Sequence, residues 1–122
     1  MNTNDLEKGL FESLENMLLI DCHEHLPPEK ERTTLKVDAM TFFSHYNRHD
    51  LHVAGMKEDM ESLLKDEIPV EKKWKLFRPY LDHIRHTSYA KAAFISLKKF
   101  YGFDDINDET YLPITEAMRK AN

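Results

Sequence analysis

The chain is poor in the residues that staple, bend or anchor a protein. Cysteine occurs once, as Cys22, so no internal disulfide can form and a reducing compartment suits the sequence. Three scattered glycines, Gly9, Gly55 and Gly102, are too few and too far apart for a phosphate-cradling loop. No nucleophile elbow and no paired-cysteine zinc motif is present. No uninterrupted apolar run is longer than the four residues at 17–20, far too short to span a bilayer. Basic charge is also lacking. Lys and Arg number 17 against 22 Asp and Glu, a net charge of -5, which leaves no excess to neutralise nucleic-acid phosphates. The polar, acidic N-terminus lacks the pattern of a signal peptide. A cytoplasmic protein that binds neither membrane nor nucleic acid is the expectation.

What is present suits an ordinary globular chain: 122 residues, 41% hydrophobic and 32% charged, at most one domain by the usual length prior. Thr3 or Asn4 can cap a first helix whose Leu6, Leu10, Phe11, Leu14 and Met17 form one apolar stripe. Residues 18–22 then read as a short, fully buried strand, with Cys22 as a small buried residue in it. Pro27 and Pro28 force an extended or turning path, and residues 29–34 read as a polar loop.

From Val37 onward no second strand of that quality appears. Asp38 can cap a helix carrying Met40, Phe42, Phe43, Tyr46 and Leu51, broken once, with Gly55 as its stop. A short helix follows over residues 57–65. Pro69 opens another with Trp74, Phe77, Leu81 and Ile84 inward, kinked or divided at Pro79. The lysines around Trp74 (Lys72, Lys73 and Lys75) read as a solvated face. Thr87 or Ser88 caps a helix closed by Gly102, and Asn107 or Asp108 starts a last one, interrupted near Pro113. The expected fold is therefore mostly α with one β-strand. Residues 1–34 hold the first helix, the strand and a loop, and residues 35–122 hold a helical run. A lone strand needs neighbours for its backbone N–H and C=O groups. Either a second copy pairs with it, or the chain is the opening piece of a larger α/β protein.

Chemistry points first to His23 and His25. Alternate residues of a strand face the same side, so the two imidazoles project together at the strand's end, with Glu24 turned away. Such a pair can hold one divalent metal, zinc first, which would polarise a substrate oxygen or acidify a bound water. The plainer reading is two unrelated histidines, and Asp21 reads as a structural acceptor near the strand end. His45, His49 and His52 are spaced i, i+4, i+7, so one unbroken helix would put them on one face. With Tyr46 and Arg48 they are candidate substrate-binding residues, Arg48 as a clamp for a carboxylate. The alternative is a polar face that is merely rich in histidine. His83 and His86 read as a solvated helix edge.

Residues 19–26, Leu-Ile-Asp-Cys-His-Glu-His-Leu, resemble the opening strand of the amidohydrolase superfamily, whose first metal motif is an apolar strand followed by Asp-x-His-x-His. Residues 43–46, 50–51, 54–56, 87–91 and 101–107 are similar to the helical region that follows in its amidohydrolase-2 and uronate isomerase-like branch. The resemblance implies an N-terminal fragment of a (β/α)8 TIM-barrel enzyme with a helical insertion, an architecture of roughly 250 residues. It implies metal-ligand roles for His23 and His25 only. The activity implied is that of a metal-dependent hydrolase or a sugar-acid isomerase, incomplete in this chain alone, with a carboxylate or sugar acid as substrate. A self-contained helical binding or regulatory module, joined to a second copy through its strand, stays open beside it. So does a small metal-binding protein using both histidine groups.

Overall fold

Local capping chemistry accounts for several of the helix boundaries. The computed structural model describes residues 3–65 and 67–121, with Thr3 described in its backbone only; the cap expected from the Thr3 side chain therefore lies outside the described residues. The chain divides into two compact units, Met1–Arg32 and Thr33–Asn122.

In the first unit, helix α1 spans Thr3–Glu15 and α2 spans Glu29–Thr34, running just past the unit's end. The polar stretch expected to be a loop is thus a short helix. Pro28 starts it: the N–H groups of Glu31 and Arg32 donate to the Pro28 carbonyl, and Glu29 and Glu31 suit the positive end of its dipole.

The expected strand is not formed. Residues 18–28 have no regular structure, and among the described residues there is no strand anywhere. This corrects both the one-strand fold class and the barrel-fragment architecture: the described protein is all-helical. A strand is stable only when a neighbour takes its backbone hydrogen bonds, and no described segment does so. The side chains follow the backbone. Leu18, Leu19 and Ile20 are 80–86% exposed, Cys22 is exposed rather than buried, and the apolar stripe of α1 is exposed as well.

The second unit holds the core. A 3-10 helix, Ala39–Phe43, opens it, followed by α3 (Asn47–Val53), α4 (Met60–Leu63), α5 (Val70–Ile84), α6 (Ser88–Tyr101) and α7 (Tyr111–Ala121). Asp38 and Thr41 form a reciprocal cap: Met40 N–H donates to Asp38 Oδ1 and Asp38 N–H donates to Thr41 Oγ1. Ser44 then ends the turn, its N–H and hydroxyl both donating to the Thr41 carbonyl, which is the single break expected before α3. Asp59 caps α4, Thr87 caps α6, and Gly102 closes α6 at φ +76°, a left-handed conformation in which a Cβ would be strained. Asn107 Oδ1 accepts from Glu109 and Thr110 N–H ahead of α7. Pro113 falls in the first turn of α7, where its missing N–H has no helical partner to lose. Pro79 sits well inside α5, and the helix runs through it undivided.

The core gathers Met40, Phe43, Leu51, Phe77, Leu81 and Ile114, among others, all within the second unit. Phe43 packs on Phe77 and Phe94 at ring-centroid distances of 5.1 and 5.8 Å. Trp74 of α5 stacks on Tyr111 of α7 at 5.0 Å and 6°, and its Nε1–H donates to Asp108 at 2.8 Å. Truncating a buried aromatic such as Phe77 costs about 3–5 kcal/mol. Lys73 corrects the expected solvated face. It is 2% exposed, with Nζ 2.8 Å from Asp38 Oδ2 and donating also to the Leu64 carbonyl. Only Lys72 and Lys75 are exposed.

Candidate functional site

His23 and His25 are carried by irregular chain between α1 and α2. Asp21 shapes that chain: its Oδ1 accepts the His23 N–H at 2.9 Å, the acceptor role expected of it. The two rings meet edge to face, with centroids 4.7 Å apart and 71° between planes. Their Nε2 atoms converge to 2.9 Å. Two imidazole nitrogens at about 2.0–2.1 Å from one zinc ion lie roughly 3.3 Å apart at the tetrahedral angle. The observed spacing is a few tenths of an ångström short of that, so the pair fits a metal with a small opening of the rings. The same 2.9 Å is also a good N–H···N distance, so a metal competes here with a shared proton. Both side chains are solvent-exposed. Among the described residues no group of three or more His, Cys, Asp or Glu side chains is gathered for a metal.

The second predicted constellation is divided. An unbroken helix was needed to place His45, His49 and His52 on one face, but α3 begins only at Asn47. His45 lies ahead of it, its carbonyl accepting from Arg48 N–H. Arg48, His49 and His52 line a cleft of about 400 Å³ with Lys57, Glu58 and Asp59. There the Arg48 guanidinium is paired with Glu61 at 3.2 Å, and the Asp59 carboxylate is engaged in capping α4. His45 and Tyr46 line a different cleft, of about 210 Å³, with Phe42, Asn47, Tyr89 and the small side chains of Ala92, Ala93 and Ser96.

The residues that sequence reasoning missed belong mostly to that smaller cleft. Tyr46 stacks on Tyr89 at 4.8 Å and 14°, and His45 stands edge-on to Tyr46 at 4.2 Å and 88°. Nothing in the spacing links residues 46 and 89. The only available signal was that Tyr89 lies in the first turn of a well-capped helix. Asn47 and Asp50, on one face of α3, each bury an oxygen, Oδ1 and Oδ2 respectively, with no hydrogen-bond partner. A buried polar atom left so costs about 1–3 kcal/mol.

Another charged cluster lies at the end of α5. Burial works against the Arg85 charge, but hydrogen bonds to Asp82 and Asp105 outweigh it and hold its pKa above the usual value. The guanidinium also donates to the Ile106 carbonyl and lies over the Phe94 ring. Its hydrogen bond to Asp82 lowers that carboxyl's pKa. This cluster joins α5 to the loop before α7 and reads as structural. His83 and His86 are exposed, as expected.

No helix among the described residues is long and apolar enough to cross a membrane. Comparison with protein-family models, with curated proteins and with solved structures finds no match.

Proposed function

We propose that this chain supplies two ligands, His23 and His25, to a divalent metal centre, with zinc the first candidate. The enzyme it serves would be a metal-dependent hydrolase or sugar-acid isomerase of the amidohydrolase kind, acting on a small carboxylate or sugar-acid substrate. The observation that carries this reading is the 2.9 Å approach of the two Nε2 atoms. It occurs in strand-free chain in which Asp21 Oδ1 accepts the His23 N–H. In this reading the Asp-x-His-x-His pattern needs no sheet, since the two rings meet in irregular chain whose backbone Asp21 holds at His23.

A divalent ion held there would supply Lewis-acid polarisation of a substrate oxygen. The chain's own contribution is to hold and orient. Asp21 fixes the backbone at His23, and the edge-to-face ring contact limits the freedom of both imidazoles. A catalytic zinc takes about three protein ligands, so in this reading a further segment completes the centre.

A zinc titration against a chromophoric chelator tests the reading. The expected result is measurable affinity that falls at least about tenfold in His23→Ala and in His25→Ala. Affinity unchanged in both variants would exclude the pair as ligands.

A second reading is favoured by the closure of the whole core within Thr33–Asn122. Such a unit suits a helical binding module, now without the strand that was to join two copies.

A further inference from the structure

The histidine pair is half of a closed metal site. His23 and His25 bring their Nε2 atoms to 2.9 Å, and among the described residues no group of three or more His, Cys, Asp or Glu side chains is gathered to extend them. A closed zinc centre takes four protein ligands at the corners of a tetrahedron. A tetrahedron has a two-fold axis that relates its corners in pairs. Two copies of this chain, turned about such an axis through the ion, supply four imidazoles and need no other residue. Contact of one patch with its own copy about a two-fold axis is the commonest way in which soluble chains pair.

The chain around the pair offers the surface that a second copy needs. Leu18, Leu19 and Ile20 before it and Leu26 after it are 63–86% exposed. With the stripe of α1, nine large apolar side chains stand exposed within residues 6–26. At roughly 100 Å² apiece they present on the order of 900 Å², comparable with the about 800 Å² that each partner buries in a standard interface. The largest apolar patch of a typical monomer is only about 300–600 Å². Charge is low as well. Between Asn16 and Pro28 the only fixed charges are those of Asp21 and Glu24, and a dication held between two copies offsets the repulsion of like carboxylates.

We propose that His23 and His25 of two copies together hold one divalent ion, zinc first, and that the ion joins the copies through the apolar segment around it. The inference rests on the ligand roles proposed above for the two histidines and not on the reaction. Four histidines leave the ion no open position, so here it is a joint between chains. A segment that completed a catalytic centre would compete with the second copy for the same two rings.

Sedimentation of the whole chain, first with EDTA and then with zinc added stepwise, tests the joint. The expected mass rises toward twice the 14.5 kDa of one chain, with its end point at one ion per two chains. Cobalt(II) is the spectroscopic probe, because a tetrahedral Co²⁺ ion absorbs visible light far more strongly than an octahedral one, and the same end point is expected in its absorption. His25→Ala alters an exposed side chain and is expected to abolish both signals. Leu18→Ser with Ile20→Ser, also at exposed positions, is expected to weaken the zinc-driven dimer at least about tenfold. One ion per chain with the mass unchanged would overturn the joint and leave the ligand roles of His23 and His25 standing. No bound ion at all would remove both. Association that persists in His25→Ala would assign it to other side chains and overturn the joint, as would a dimer indifferent to the two serine substitutions.

Discussion

Lys73 Nζ lies 2.8 Å from Asp38 Oδ2, and both side chains are almost completely withdrawn from water, at 3% and 0% exposure. The pair ties the middle helix of the second unit to the cap of its opening turn. Asp38 thus does two jobs at once, since its other oxygen accepts the Met40 N–H. Buried pairs add little over an apolar replacement, but breaking one by removing a single partner strands a charge. Asp38→Asn keeps the shape and the cap while leaving Lys73 without its counter-ion. We expect a loss of about 3–5 kcal/mol in urea unfolding and a Tm drop of more than about 10 °C. Adding Lys73→Met to Asp38→Asn is expected to recover part of that loss. A single variant as stable as the parent would show that the pair contributes nothing.

The Asp82–Arg85 contact sets a pH dependence. The hydrogen bond from Arg85 lowers the folded-state pKa of Asp82. Its stabilisation is therefore fully present above the unfolded carboxyl value of about 3.9, and is lost as pH falls through the lower folded value. Asp82 is 79% exposed, so solvent screening limits the effect to a few tenths of a kcal/mol. Asp82→Asn should be slightly less stable than the parent at pH 7 and indistinguishable near pH 2. Parallel denaturation curves at the two pH values test this. An equal deficit at both would place the effect outside the carboxylate's charge.

Two glycines should respond in opposite directions to alanine. Gly102 sits at φ +76° with nothing within 4 Å of a built Cβ, so Gly102→Ala strains only the backbone and is expected to cost about 1 kcal/mol. Gly9 lies inside α1 with open space around it. Gly9→Ala removes the entropy penalty of an interior helix glycine, worth about 0.5–1 kcal/mol, and should raise the helical circular dichroism signal. A Gly102→Ala protein with unchanged Tm would contradict the left-handed cap.

Much of this helix order was readable from punctuation. Asp38, Thr87, Gly55 and Gly102 mark ends because capping and left-handed turns are decided within a few residues. The spacing of Trp74, Phe77 and Leu81 announced a buried face. What could not be read depended on partners remote in sequence. Residues 18–22 have the composition of a buried strand, yet burial and pairing are properties of neighbours, and none of the described residues provides them. Lys73 looked like its solvated neighbours because only the fold brings Asp38 to it. The histidine face failed for a local reason: Ser44 closes the 3-10 turn on Thr41, so His45 never joins the helix of His49 and His52. The meeting of Tyr46 with Tyr89 is tertiary and has no signature in either segment.

Every described side chain from residue 4 to residue 36 is exposed, and the whole buried cluster lies between residues 39 and 118. A chain of residues 33–122 is therefore expected to fold on its own. Its cooperative thermal transition should fall within a few degrees of the parent's, a shift of under about 1 kcal/mol. Loss of cooperativity on removing residues 1–32 would show that the core depends on them.

The contact between Trp74 and Tyr111 has a practical side. Trp74 is the only tryptophan, and all five tyrosines lie beyond residue 32, whereas residues 1–32 hold a single aromatic, Phe11. Near-ultraviolet emission therefore comes from the second unit alone. Its tryptophan component reads one place, where the indole is stacked on Tyr111 and hydrogen-bonded to Asp108. The protein carries its own optical label for the docking of α7 on α5, and that label is silent about the segment bearing His23 and His25.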